Sequence, residues 1–172
     1  MAKGRPLDVA QELLEAFRRS GAVNAYLVGA IPVALWRVAP PGRSRGRTIA
    51  AIVAHIQGVR RTFARLGGAR PGPPSLDRRL VTPDQARQAM TRSTEDLARL
   101  FDAALTAGRA RVAGQPRRVV EMLIYLIQHD AHHRGQIAML ARDLGHEFTG
   151  DDTMRIWGWK KMPEPGASLA RR

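Results

Sequence analysis

The chain has 172 residues, 44% of them apolar and 25% charged, and no cysteine. These figures fit one domain of ordinary globular composition and exclude collagen-like or wholesale disordered character, a disulfide framework, a thiolate metal site and a cysteine nucleophile. The formal net charge of +13 favours general association with nucleic acid or anionic surfaces, yet Lys3, Lys160 and Lys161 are the only lysines, so arginine supplies the other 25 of 28 positive residues, spread over every segment.

Aromatic residues do not interleave with the basic ones as on a strand-stacking surface, and no DNA-reading motif is present, so a specific nucleic-acid partner is not expected. The N-terminal segment carries no long apolar stretch. The longest uncharged run, Ser20 to Trp36, is broken by Asn24, Gly29 and Pro32, so no membrane partner is expected and the expected location is the cytoplasm.

In chain order, Leu7, Val9, Ala10, Leu13, Leu14, Phe17, Leu27, Val28 and Ile31 recur near helical spacing and predict a first helix over about 7–31. Gly21 and Gly29 weaken it, and Pro32 ends it. A Pro- and Gly-rich loop over 39–46 leads to Thr48, which can cap a second helix over 48–66 with Ile49, Ile52, Val53, Ile56, Val59, Phe63 and Leu66 as its apolar set. Gly67 and Gly68 stop it. After an irregular stretch, Thr82 as N-cap, Pro83, Asp84 and Gln85 form the clearest helix start in the chain and predict a third helix over 83–107. Gly114, Gln115 and Pro116 introduce a fourth over 117–144, stopped by Gly145. No strand alternation competes with these segments, which predict an all-α four-helix bundle in a single domain. The remaining tail, 146–172, carries Phe148, Met154, Ile156, Trp157 and Trp159; it is too apolar for a free end and is expected to dock for the most part.

Three of the five histidines fall within the stretch Gln128 to Gln136. On a helix His129 and His133 stand about 40° and about 6 Å apart and share a face. That face continues through Met122, Leu126, Ile137, Leu140 and Leu144, which aims both rings at the bundle interior; His132 is less well aimed. His55 lies in the second helix among Ile52, Ile56, Val59 and Phe63, also near a core-facing stripe. Three basic rings buried together each need a partner, and one divalent cation satisfies all of them. Three neutral imidazoles leave at least one coordination position open for a ligand.

The segment from Gly46 to Ile56, the His129-Asp130-Ala131-His132-His133-Arg134-Gly135-Gln136-Ile137 stretch and the Trp157-Gly158-Trp159 tail together resemble the DinB/YfiT-like family of metal-dependent four-helix bundles, over nearly the whole chain. The resemblance implies His55, His129 and His133 as metal ligands, the same residues that spacing selects. Some relatives carry a carboxylate in place of His129. Activities among distant relatives include isomerases and transferases that use a low-molecular-weight thiol, and the expected function is a metal-dependent hydrolase or thiol-dependent transferase acting on a small molecule that the sequence does not identify. Zinc or nickel suits imidazole ligands best, with iron or manganese next. The resemblance and Gly135 also suggest a homodimer. The alternatives are a non-catalytic dimeric bundle and a non-specific nucleic-acid binder.

The neighbouring residues carry lesser expectations. Asp130, one step round the helix from His129, is expected in solvent; Arg134 points elsewhere, toward a subunit contact. Gly135 permits close approach of another helix or subunit, and Gln136 lies near the ligand face. Tyr125, one turn before His129, is expected to pack its ring, and Trp157 and Trp159 to anchor the tail. The site itself is placed near one end of the core.

Overall fold

The structure, a computed structural model, describes residues 7–42, 46–70 and 74–160. Four long helices, α1 (Val9–Ala30), α2 (Ile49–Leu66), α3 (Pro83–Thr106) and α4 (Val119–Asp143), are followed by a short α5 (Gly150–Ile156), and a single 3-10 turn at Val33–Leu35 follows α1. There is no strand among the described residues. Three of the four long helices start where the sequence offers an acceptor: Asp8 takes the amides of Ala10 and Gln11, Thr48 that of Ala51, and Thr82 with Gln85 closes a reciprocal capping box. Pro32 follows directly on the C-cap of α1, Ile31. Among the described residues no helix is long and apolar enough to cross a membrane.

α3 and α4 occupy opposite corners of the bundle, with α1 and α2 each packed against both of them. The chain beyond α4 docks only in part. Phe148 and Ile156 pack against the core, and the Tyr26 hydroxyl donates to Asp152 at 2.7 Å. Burial, then this bond to a carboxylate, pushes the Tyr26 hydroxyl up to about 12. Trp157 and Trp159, expected as anchors, are instead 69% and 76% exposed. The docking contacts lie before them, and the left-handed turn at Gly158 carries Trp159 away from the bundle. Residues 161–172 of the tail lie outside the described residues.

The core is not one apolar mass. One cluster gathers Leu27, Trp36, Ile49, Val53, Met90 and Ile137; another gathers Leu14, Phe17, Leu97, Phe101, Met122 and Leu126. A polar layer separates them, built from the positions between the two clusters on each helix. Arg60 and Asp130 lie at its centre with fully buried side chains, joined as an ion pair. Arg60 also donates to Thr94 Oγ1 and the Met90 carbonyl on α3, and its guanidinium stands 5.5 Å from the centre of the Phe17 ring on α1. Arg134 donates to Ser20 Oγ and Asn24 Oδ1 of α1 at 3.0 and 2.9 Å. The layer therefore ties all four long helices.

Gly21, which looks like a weak point in a helix by propensity, sits where α1 crosses this layer. A Cβ there would fall 2.3 Å from Thr94 Oγ1, the atom that accepts from Arg60. The glycine lets α1 approach α3 without displacing that acceptor.

Burial alone would push the Asp130 carboxyl up; the Arg60 guanidinium, helped by His129 and Arg134, outweighs it and holds the carboxyl below its usual range. A buried pair contributes little net stability, but removing one member leaves an uncompensated charge in a low dielectric. Arg60→Met is therefore expected to destabilise the fold by about 3–5 kcal/mol, and Arg60→Met with Asp130→Leu to recover a large part of the loss. Urea unfolding of both variants checks this; a double variant no better than the single would refute it.

Candidate metal centre

α2 and α4 pack side by side and bring His55 to His129 and His133. The His55 and His129 Nε2 atoms are 3.3 Å apart, and one ligand atom from each of the three rings lies within 4.8 Å of the others. Ring centroids are 4.5–5.3 Å apart across the three pairs. Two nitrogens held at about 2.0–2.1 Å from a tetrahedral zinc ion are separated by roughly 3.3–3.4 Å, so the first pair already has the required spacing. The remaining separations, within 4.8 Å, are of a size that a change in side-chain torsion closes.

The other faces of the rings are fixed by neighbours. His133 Nδ1 is 2.7 Å from Gln136 Oε1, and Gln136 Nε2 is 3.0 Å from His132 Nε2. With the amide oxygen accepting from His133 and the amide nitrogen donating to His132, His133 holds its proton on Nδ1 and keeps the Nε2 lone pair for a cation. His129 Nδ1 is buried without a hydrogen-bond partner and faces Asp130 Oδ1 at 3.7 Å. A carboxylate behind a ligand ring favours the tautomer whose other nitrogen is free to coordinate.

Burial lowers both His55 and His133 below the ordinary 6.5. The neighbouring histidines and Arg47 lower them further, and at His133 the bond to Gln136 opposes the shift. Both rings are accordingly neutral at pH 7, the form in which imidazole binds metal.

The three residues selected from the sequence are thus brought together, and His132 stays exposed beside them. Their position is different from the one expected: they lie in the middle third of α4 and the first half of α2, on the flank of the bundle at the level of the polar layer, not near an end of the core. Asp130 is not in solvent but wholly buried. Arg134 is not aimed at a subunit contact but bonds inward to α1. No helix approaches Gly135, whose Cβ position has nothing within 4 Å. Gln136 is exposed yet bridges two histidines.

Arg60, which sets the carboxylate behind His129, is the residue that sequence reading misses. Its signal is present: Ile49, Val53, Ile56, Arg60 and Ala64 form one helical stripe, as do Leu123, Leu126, Asp130, His133 and Ile137. Opposite charges at the centre of two core stripes mark a buried pair.

The chain belongs to the DinB family, whose model matches residues 5–165, nearly its whole length. No curated protein matches it. The family has a helical-bundle fold, and the three-histidine cluster could hold a metal ion. With no metal bound, His55 and His133 take up protons less readily when folded than when unfolded, so the unfolded chain binds more protons and stability falls as pH drops below about 6.5. Urea midpoints at pH 7.5 and 5.5 should show this loss, and His55→Asn should reduce it. Asp130, depressed below 3.8, contributes only in a more acid window. Equal losses in both proteins would count against the assignment.

Proposed function

We propose that the chain binds one divalent metal ion through His55, His129 and His133 and acts as a metal-dependent hydrolase or thiol-dependent transferase on a small molecule in the cytoplasm. The observation that carries the reading is the 3.3 Å spacing of the His55 and His129 nitrogens, with His133 held in the matching tautomer by Gln136. At that distance two neutral rings can share one proton in an N–H···N contact, whereas a cation can take both lone pairs and that of His133 at once. Zinc or nickel fits an all-imidazole set better than iron or manganese. A bound divalent cation supplies Lewis-acid chemistry, withdrawing electron density from a ligand oxygen or sulfur. The protein's own residues keep His55 and His133 neutral, orient the rings and leave the solvent side of the cluster open for substrate. Tyr125, whose ring is 5.8 Å from that of His129, is the nearest hydroxyl-bearing ring and can donate a proton to a substrate bound there.

Elemental analysis of protein made without a histidine tag tests this. About one ion per chain is expected, lost in His129→Ala, and added metal should stabilise the native protein by about 2.7 kcal/mol at a hundredfold excess over Kd. Metal at background level, or its retention when all three histidines are replaced, would sink the reading.

The outer face of α4 favours a homodimer as the assembled state. Val120, Ile124 and Met139 are 47%, 43% and 59% exposed there, flanking the exposed Ala131 and Gly135, so a face that is apolar apart from Gln128 and shallow in the middle is left uncovered by the other described residues. Sedimentation should give twice the chain mass, reduced to the monomer by Ile124→Glu; a wild-type monomer at micromolar concentration would exclude this assembly.

A further inference from the structure

His132 is the one histidine between His129 and His133 that the candidate metal centre leaves unused, and it is exposed. Its surroundings are nonetheless specific. Gln136 stands four residues after His132 and three after His133, the two spacings at which side chains meet on a helix surface, so a single amide reaches both rings. Gln136 Oε1 lies 2.7 Å from His133 Nδ1, and Gln136 Nε2 lies 3.0 Å from His132 Nε2. The two rings are 4.9 Å apart and nearly edge to face, at 72°. Among the described residues, the side chains of Gln136 and His132 have no other hydrogen-bond partner.

An amide couples the protons of the two rings it bridges, because it has one accepting end and one donating end. With Oε1 turned to His133, that ring donates from Nδ1. With Nε2 turned to His132, that ring must offer a bare Nε2 and carry its own proton on Nδ1. Turning the amide over reverses both rings together: His132 would donate from Nε2, and His133 would accept at Nδ1 and hold its proton on Nε2. Only the first arrangement leaves His133 Nε2 free for a cation. Asp130, behind His129, sets no such condition on a further residue, since both carboxylate oxygens accept. At His133 the second ring on the amide therefore helps to decide the state of the first.

Building on the metal-centre reading, we propose that His132 is a positioning residue of that centre: through Gln136 it holds His133 in the form that binds metal. In this role His132 touches neither the ion nor a substrate. Solvent in its place would both donate and accept, and so would not select one end of the amide; a neutral ring protonated on Nδ1 does.

The test uses the full chain with isotope-labelled histidine at about pH 8, where imidazole is neutral. Nitrogen NMR of the zinc-free protein reads the tautomer of each ring. His132 and His133 should both carry the proton on Nδ1, although an exposed imidazole in water favours Nε2. Gln136→Glu exchanges the donating end for a second acceptor, so His133 should keep its Nδ1 proton while His132 moves its own to Nε2. His132→Ala should lower zinc affinity about fivefold in the wild-type chain and leave it unchanged in Gln136→Glu, whose carboxylate needs no orienting. A merely structural role for His132 would give the same loss in both backgrounds. The proton on Nε2 of His132 in the wild-type chain, an unchanged zinc affinity in His132→Ala, or equal losses in the two backgrounds overturns the proposal. A wild-type chain that takes up no zinc overturns the metal-centre reading and this inference with it, whereas zinc uptake with any of those three results overturns this inference alone.

Discussion

A single buried ion pair organises this molecule. Arg60 has no exposed surface and reaches α1, α3 and α4 from its place on α2. Its guanidinium can be buried only because Asp130 offers a compensating charge and Thr94 and the Met90 carbonyl accept its remaining protons. That requirement fixes the relative height of the helices. A slip of one turn of any of them would leave a charge or a donor facing an apolar cluster. The two hydrophobic clusters on either side supply the driving force for collapse, but apolar packing alone tolerates shifted registers; the polar layer does not. Gly21 belongs to the same constraint, since its missing Cβ leaves room for the Thr94 hydroxyl.

The layer and the histidine cluster are physically continuous. Arg60 donates to both Asp130 oxygens, and Oδ1, 3.5 Å from Arg60 Nε, also lies 3.7 Å from His129 Nδ1, so the residue that locks the bundle also stands behind a ring of the histidine cluster. Arg134, one turn further along α4, is drawn inward to Ser20 and Asn24 for the same reason: Asp130 makes that region of the helix negative enough to hold two guanidinium groups. The histidines therefore sit on a rigid part of the structure, as a coordination site requires.

Much of this is legible in the chain because helices write their faces at fixed spacing. The caps at Thr48 and Thr82 locate two helix starts to the residue, and the i, i+4 pair of His129 and His133 with His55 on a second apolar stripe identifies the ring cluster. What escapes is the charge inside the core. Measured against His129, Asp130 is rotated by about 100° and leaves the buried face. Measured against Leu126 and Ile137 it lies at the centre. His129 itself is at the edge of the buried arc, so a face centred on it is shifted by one position. Arg60 is obscured by the abundance of arginine elsewhere: among 28 basic residues, one on a core stripe carries no compositional mark. The exposed Trp157 and Trp159 show the opposite error, since a large aromatic residue predicts burial only where an element remains to cover it.

The bulk charge acquires a local meaning once the acids are located. Fifteen carboxylates would be enough to screen the site if they were spread evenly. They are not: α2 has none, and the one acid nearest the histidines is neutralised by Arg60 behind them. The wall behind the rings is thus electrically closed, its negative charge buried against Arg60. A carboxylate placed in this way orients an imidazole ring from behind. That effect follows from the placement of Asp130 and could not be read from the net charge of the whole chain.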